Sequence, residues 1–135
     1  GEIPGELLEE AARMWEALEA SMLRRVLLHG DLHHGNLLTG PHGPTVIDPM
    51  GVMGDPAFEV YPLLVNPRHA PPEDRVRLLD SRLAIVEAVT GLPLDRLRGW
   101  GFCGAVLSAC WDAMDGNPPE PGSLAVAEAL RRGSP

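Results

Sequence analysis

The sequence has no lysine; all eleven basic residues are arginine. That excludes Schiff-base catalysis and a Walker-type phosphate loop, both of which need a lysine amine. Cysteine is nearly absent as well. Cys103 and Cys110 lie seven positions apart on one expected helix, about 10 Å along its axis and too far apart to bridge. They read as buried thiols of a cytoplasmic protein. No stretch has the pattern of a signal peptide or a membrane span, and there is no internal repeat or low-complexity tract. The arginines form no basic stripe or tail, and the net charge is −8. Nucleic acid and anionic membranes are therefore not expected partners. A cationic small substrate is compatible with this charge.

What is present suits one domain. At 135 residues and 44% hydrophobic content, the chain is long enough to bury a core. Apolar residues recur at helical spacing from Glu6 to Arg25, with acids early and arginines late, which predicts an amphipathic helix. Asp55-Pro56 reads as a helix start, and that helix, disturbed by Pro62, ends by Asn66-Pro67. Pro72 to Thr90 reads as a helix with Val76, Leu79, Leu83, Ile85, Val86 and Val89 inside and Gly91 as its C-cap. Leu92 to Leu97 starts another element, and Trp100 to Met114 is a helix apolar nearly all round, expected at the domain centre. Asp115 to Gly122 is a turn, and Ser123 is expected to cap a last helix reaching Arg132. The fold class expected is mainly α with a small β-hairpin.

The chemistry gathers in one place. Val26-Leu27-Leu28 predicts a short strand running into His29-Gly30-Asp31-Leu32-His33-His34-Gly35-Asn36. Asn36 to Thr39 and Thr45 to Ile47, separated by a Gly-Pro-His-Gly-Pro turn, predict a hairpin that brings Asp48 back towards Asp31 and Asn36. Met50 to Gly54 reads as a loop. Two carboxylates and an amide oxygen beside a glycine-bearing loop suit a hard cation held by few protein oxygens. They equally suit a hydroxyl that must give up a proton.

His29-Gly30-Asp31 with Asn36 resembles the catalytic loop of protein-kinase-like phosphotransferases. Asp48 resembles their second metal-binding aspartate. Glycine after the histidine, with Ile47-Asp48-Pro49 following, resembles the aminoglycoside phosphotransferases. Gly51, Gly54-Asp55-Pro56-Ala57-Phe58-Glu59 and Pro62-Leu63-Leu64 resemble the streptomycin kinase and hydroxyurea phosphotransferase branch. The resemblance implies an ATP-dependent O-phosphotransferase that confers antibiotic resistance. Asp31 would be the catalytic base, and Asn36 and Asp48 would hold Mg²⁺. Gly30 and Gly35 would let the loop turn tightly, His29 would be a structural hydrogen-bonding residue, and His33 stands where protein kinases carry a catalytic-loop lysine. Asp112, Asp115 and Glu120 are the acids expected to meet a cationic acceptor.

The sequence departs from that pattern in two ways. Met50 stands where the branch often has lysine. The glycine-rich loop and lysine of a nucleotide lobe are also missing, so residues 1–135 are expected to form a kinase-like C-terminal lobe, cut from a longer chain. Such a lobe is expected to be inactive alone and to self-associate through the face that the other lobe would cover. Two alternatives stay open: a metal-dependent hydrolase built on His29, Asp31 and His33, and a non-catalytic binding module derived from a kinase.

Overall fold

The computed structural model describes residues 2–132. In chain order it contains α1 (Gly5–Ala20), β1 (Val26–Leu28), a 3-10 turn (His34–Asn36), β2 (Leu37–Gly40), β3 (Gly43–Val46), β4 (Val52–Gly54), a 3-10 helix (Pro56–Val60), α2 (Tyr61–Val65), α3 (Pro72–Thr90), α4 (Leu94–Met114) and α5 (Pro121–Arg132). The result is mostly helical with two small antiparallel sheets, β1–β4 and β2–β3.

The helices pack around α4, whose buried face carries Leu97, Trp100, Phe102, Cys103, Ala105, Val106 and Ala109. Leu7 and Leu18 of α1, Leu79 and Leu83 of α3, and Val126 and Leu130 of α5 close on it. Trp15, Phe58 and Trp100 meet edge to face, with ring centroids 5.1–5.7 Å apart, a favoured aromatic geometry. The element expected to start within Leu92–Leu97 and the Trp100 helix are one continuous helix from Leu94. Its interior glycines are close-packing positions, since a Cβ on Gly104 would overlap the Tyr61 ring.

Other expectations shift for local reasons. Helix α1 stops at Ala20, so Arg24 and Arg25 lie outside it. Ser21 Oγ donates to Ala17 O, and Arg96 Nη2 donates to Leu18 O, so the terminal carbonyls are satisfied without a further turn. On α3, Ile85 and Val89 are exposed, at 62% and 79%. Ile85 sits about 200° around the helix from the buried Leu83. A charged residue of α3 is instead buried: Arg75 is 2% exposed. Its guanidinium donates to Val65 O, Arg68 O, Ala70 O and both oxygens of Glu120. Ser123 lies inside α5, and Glu120 does the capping by accepting from Ser123 N–H at 2.7 Å. Finally, Met50 to Gly54 is not all loop, because Val52–Gly54 pairs with β1 in the register Val26↔Gly54, Leu27↔Met53, Leu28↔Val52.

Candidate functional site

Strand β1 delivers the chain to a turn at Gly30, whose φ of +90° is open to glycine and strained for other residues. Two successive amides there point one way, and the Glu59 carboxylate accepts both: His29 N–H at 3.0 Å and Gly30 N–H at 2.8 Å. Glu59 is placed by the 3-10 helix, whose N-cap is Asp55. Asp55 is itself buried and accepts from Ala57 N–H, Trp100 Nε1 at 3.0 Å and Arg96. Burial alone would raise the Asp55 carboxyl, but the hydrogen bonds from Arg96, Ala57 and Trp100 outweigh it and hold it below the usual aspartate value. The turn is thus referred through Asp55 and Glu59 to helix α4.

The His29 ring is a strut between the two halves of the site. Its Nδ1 accepts from Asp31 N–H at 3.1 Å, which leaves the proton on Nε2, and Nε2 donates to Ile47 O at 2.7 Å. Ile47 N–H donates to Asn36 O at 2.9 Å and Met50 N–H to His29 O. The backbone on both sides of Asp48 is therefore tied to the Asp31 loop. Asp48 has φ of +55°, a left-handed conformation that non-glycine residues adopt when the surroundings dictate it.

Asn36, 8% exposed, donates from Nδ2 to Asp31 O at 2.8 Å and to Asp31 Oδ2 at 3.3 Å. That orientation leaves its amide oxygen free for a cation, while Asp31 keeps Oδ1 without a partner among the described residues. The donor set fits Mg²⁺, a hard ion that takes one or two protein oxygens and fills the remainder with water and phosphate. His33 caps the 3-10 turn by accepting Gly35 N–H on Nδ1 at 3.0 Å, and its Nε2 lies 3.5 Å from Asp31 Oδ2.

Asp31, Asn36, Asp48, His29, Gly30, His33 and Gly35 thus share one loop system. Asp112, Asp115 and Glu120 do not join it. Asp112 pairs with Arg68 and accepts Glu120 N–H, and Glu120 neutralises Arg75. Of these three, Asp115 alone has no side-chain partner among the described residues. Among the described residues no three His, Cys, Asp or Glu side chains form a ready metal-binding group. This counts against the hydrolase, because both nitrogens of His29 are already engaged. Glu59 was seen in the sequence only as part of a block; a carboxylate on the first turn after a capped Asp-Pro start was its available signal.

A carboxylate with one oxygen unpaired among the described residues, an amide oxygen and a second carboxylate share one backbone frame, a donor set of the kind that suits a hydroxyl or a hard cation. Known proteins refine this. The sequence profile of the aminoglycoside/hydroxyurea antibiotic resistance kinases matches residues 3–116, and the chain belongs to that family. The streptomycin 6-kinase of Streptomyces glaucescens is 33% identical over 97% of this chain and 50% of its own length. The hydroxyurea phosphotransferase of Kitasatospora aureofaciens is 35% identical over 96% and 42%. The streptomycin 3''-kinase of Klebsiella pneumoniae is 37% identical over 81% and 43%. The chain spans about half the length of these relatives. No solved structure gives a significant match.

Proposed function

We propose that this chain is the C-terminal, acceptor-activating lobe of a protein-kinase-like phosphotransferase. The full-length protein would transfer phosphate from ATP to a hydroxyl of a small acceptor, streptomycin-type or hydroxyurea, in the cytoplasm. One observation carries the reading: among the described residues Asp31 Oδ1 and the Asn36 amide oxygen have no partner, and the backbone beside Asp48 is tied to His29 and Asn36 through Ile47. Asp31 orients the acceptor hydroxyl and takes its proton. Asn36 and Asp48 are the residues that would hold Mg²⁺, which when bound neutralises the nucleotide phosphates. His29, Gly30 and Gly35 keep the loop in shape. Asp115 is the remaining candidate for a cationic acceptor, since Asp112 and Glu120 are occupied by arginines. Neither the hydrolase nor the non-catalytic module gains support from the site or from the relatives.

Asp31→Asn in the full-length protein tests this. Transfer to streptomycin or hydroxyurea is expected to fall at least ~100-fold, the contribution of a positioned base, with an unchanged thermal melt. A rate within tenfold of wild type removes Asp31 from that role.

A further inference from the structure

We infer that His33 is a positioning residue for Asp31: Gly35 N–H fixes its tautomer, and its Nε2–H then holds one carboxylate oxygen so that the other faces the acceptor hydroxyl. The inference deepens the proposed phosphotransferase function and rests on it.

His33 Nδ1 accepts Gly35 N–H at 3.0 Å, so Nδ1 carries a lone pair and the proton of the neutral ring is on Nε2. That nitrogen lies 3.5 Å from Asp31 Oδ2. Asn36 Nδ2 approaches the same oxygen at 3.3 Å. The 3.4 Å contact between Asn36 Nδ2 and His33 Nε2 is then donor against donor, and both nitrogens lie within 3.5 Å of Oδ2. Oδ1 is left without a partner among the described residues. Two N–H groups at 3.3 and 3.5 Å from one oxygen bias the carboxylate orientation, and its other oxygen is the one left to accept a proton. The side chain of Asp31 is 43% exposed, so packing does not fix it, and the donors must. His33 itself is held, because its backbone and Nδ1 cap the turn that carries Asn36.

Two substitutions separate this role from capping. His33→Asn retains a good N-cap acceptor but has no atom that reaches Asp31. His33→Gln is a poor cap but can extend an N–H to the carboxylate. In the full-length protein, His33→Asn is expected to lower kcat about tenfold or more, the scale of lost orientation, with KM for acceptor and nucleotide within twofold. His33→Gln is expected to recover several-fold over Asn despite a lower melting temperature. The reverse order, Asn active and Gln impaired, makes His33 a cap only and overturns the inference. Asp31→Asn in the same assay separates the two levels: if it transfers normally, the phosphotransferase role of the site has failed. A second arm needs no turnover. Long-range ¹H–¹⁵N spectra of the chain should show His33 protonated on Nε2, with that N–H signal moving in Asp31→Ala. An Nδ1–H tautomer, or a signal indifferent to Asp31, overturns it equally.

Discussion

Helices α1 to α5 and the segment from β1 to β4 are held together by different means. The main apolar cluster draws on α1, the 56–65 stretch, α3, α4 and α5, and between residues 26 and 54 Leu28 is the one buried hydrophobic among the described residues. The β segment instead exposes Leu27 at 71%, Leu38 at 52%, Met50 at 54% and Met53 at 55%. Besides the burial of Leu28, what fixes it is a short set of polar ties: Glu59 to the Gly30 turn, His29 across to Ile47, Ile47 to Asn36, and Met50 to His29. The helical base gains its stability from non-directional burial, which tolerates small shifts. The site gains its geometry from directional bonds, which hold a few atoms accurately on a segment with little stability of its own. Damage to each region should therefore read out differently.

The largest effect on the helical side is expected at Glu120. Arg75 is almost fully buried, and Glu120→Ala would leave its guanidinium with backbone carbonyls but no counter-charge. Breaking a buried pair from one side typically costs about 3–5 kcal/mol, so a severe drop in melting temperature, measured by circular dichroism, is expected. The acid limb of stability carries the same signature. Burial raises the Glu120 carboxyl, but bonds from Arg75 and Ser123 dominate and hold it below the usual glutamate value. A depressed folded value means that this contribution is full above the unfolded value of 4.5 and is lost as pH falls through the folded one. Glu120→Gln should flatten that part of the curve.

The site side should respond in the opposite sense. Glu59→Gln retains one acceptor oxygen for two amides, and turns a donor towards the second. An unsatisfied amide costs about 1–3 kcal/mol, but here the cost falls on a turn outside the core. The melting temperature should drop less than for Glu120→Ala, while transfer by the full-length protein falls about tenfold or more through lost positioning. Rate and melting temperature falling in proportion would erase the distinction between the two regions.

How much of this was legible in the sequence follows the same divide between local and distant. Asp31, Asn36 and Asp48 sit within one short stretch, so hairpin spacing sufficed to anticipate the backbone tie from Ile47, next to Asp48, to Asn36. The ends of α3 were legible because Pro72 and Gly91 punctuate them, Gly91 in the left-handed conformation its role requires. Strand β4 was missed because its partner β1 is supplied from more than twenty residues upstream, and the glycines around it imitate a loop. Glu59 grips a turn about thirty residues away, and no local period records that. The burial of Arg75 could not be read locally, because it depends on Glu120, 45 residues away and just before α5. Ile85 and Val89 were placed inside by their apolar character, whereas the helix turns them outward.

The smallest effect belongs to the exposed apolar side chains of the β segment. Leu27 and Met53 face each other across β1 and β4, and both are more than half exposed. In the helical base an apolar-to-serine change would open a cavity and cost several kcal/mol, on the order of 2–5. Leu27→Ser and Met53→Ser change side chains that are mostly exposed and leave the ladder hydrogen bonds intact, so the chain's stability should change by about 0.5 kcal/mol or less. Their effect should appear in solution behaviour instead. A cluster of exposed apolar groups favours association between copies, and the double variant should sediment as a smaller species than wild type at the same concentration. Denaturant melts and analytical ultracentrifugation of the same samples decide it. A loss of more than ~1 kcal/mol, a cost belonging to buried groups, would mean that these side chains carry the fold after all, and that the site segment is not held by Leu28 and its polar ties alone.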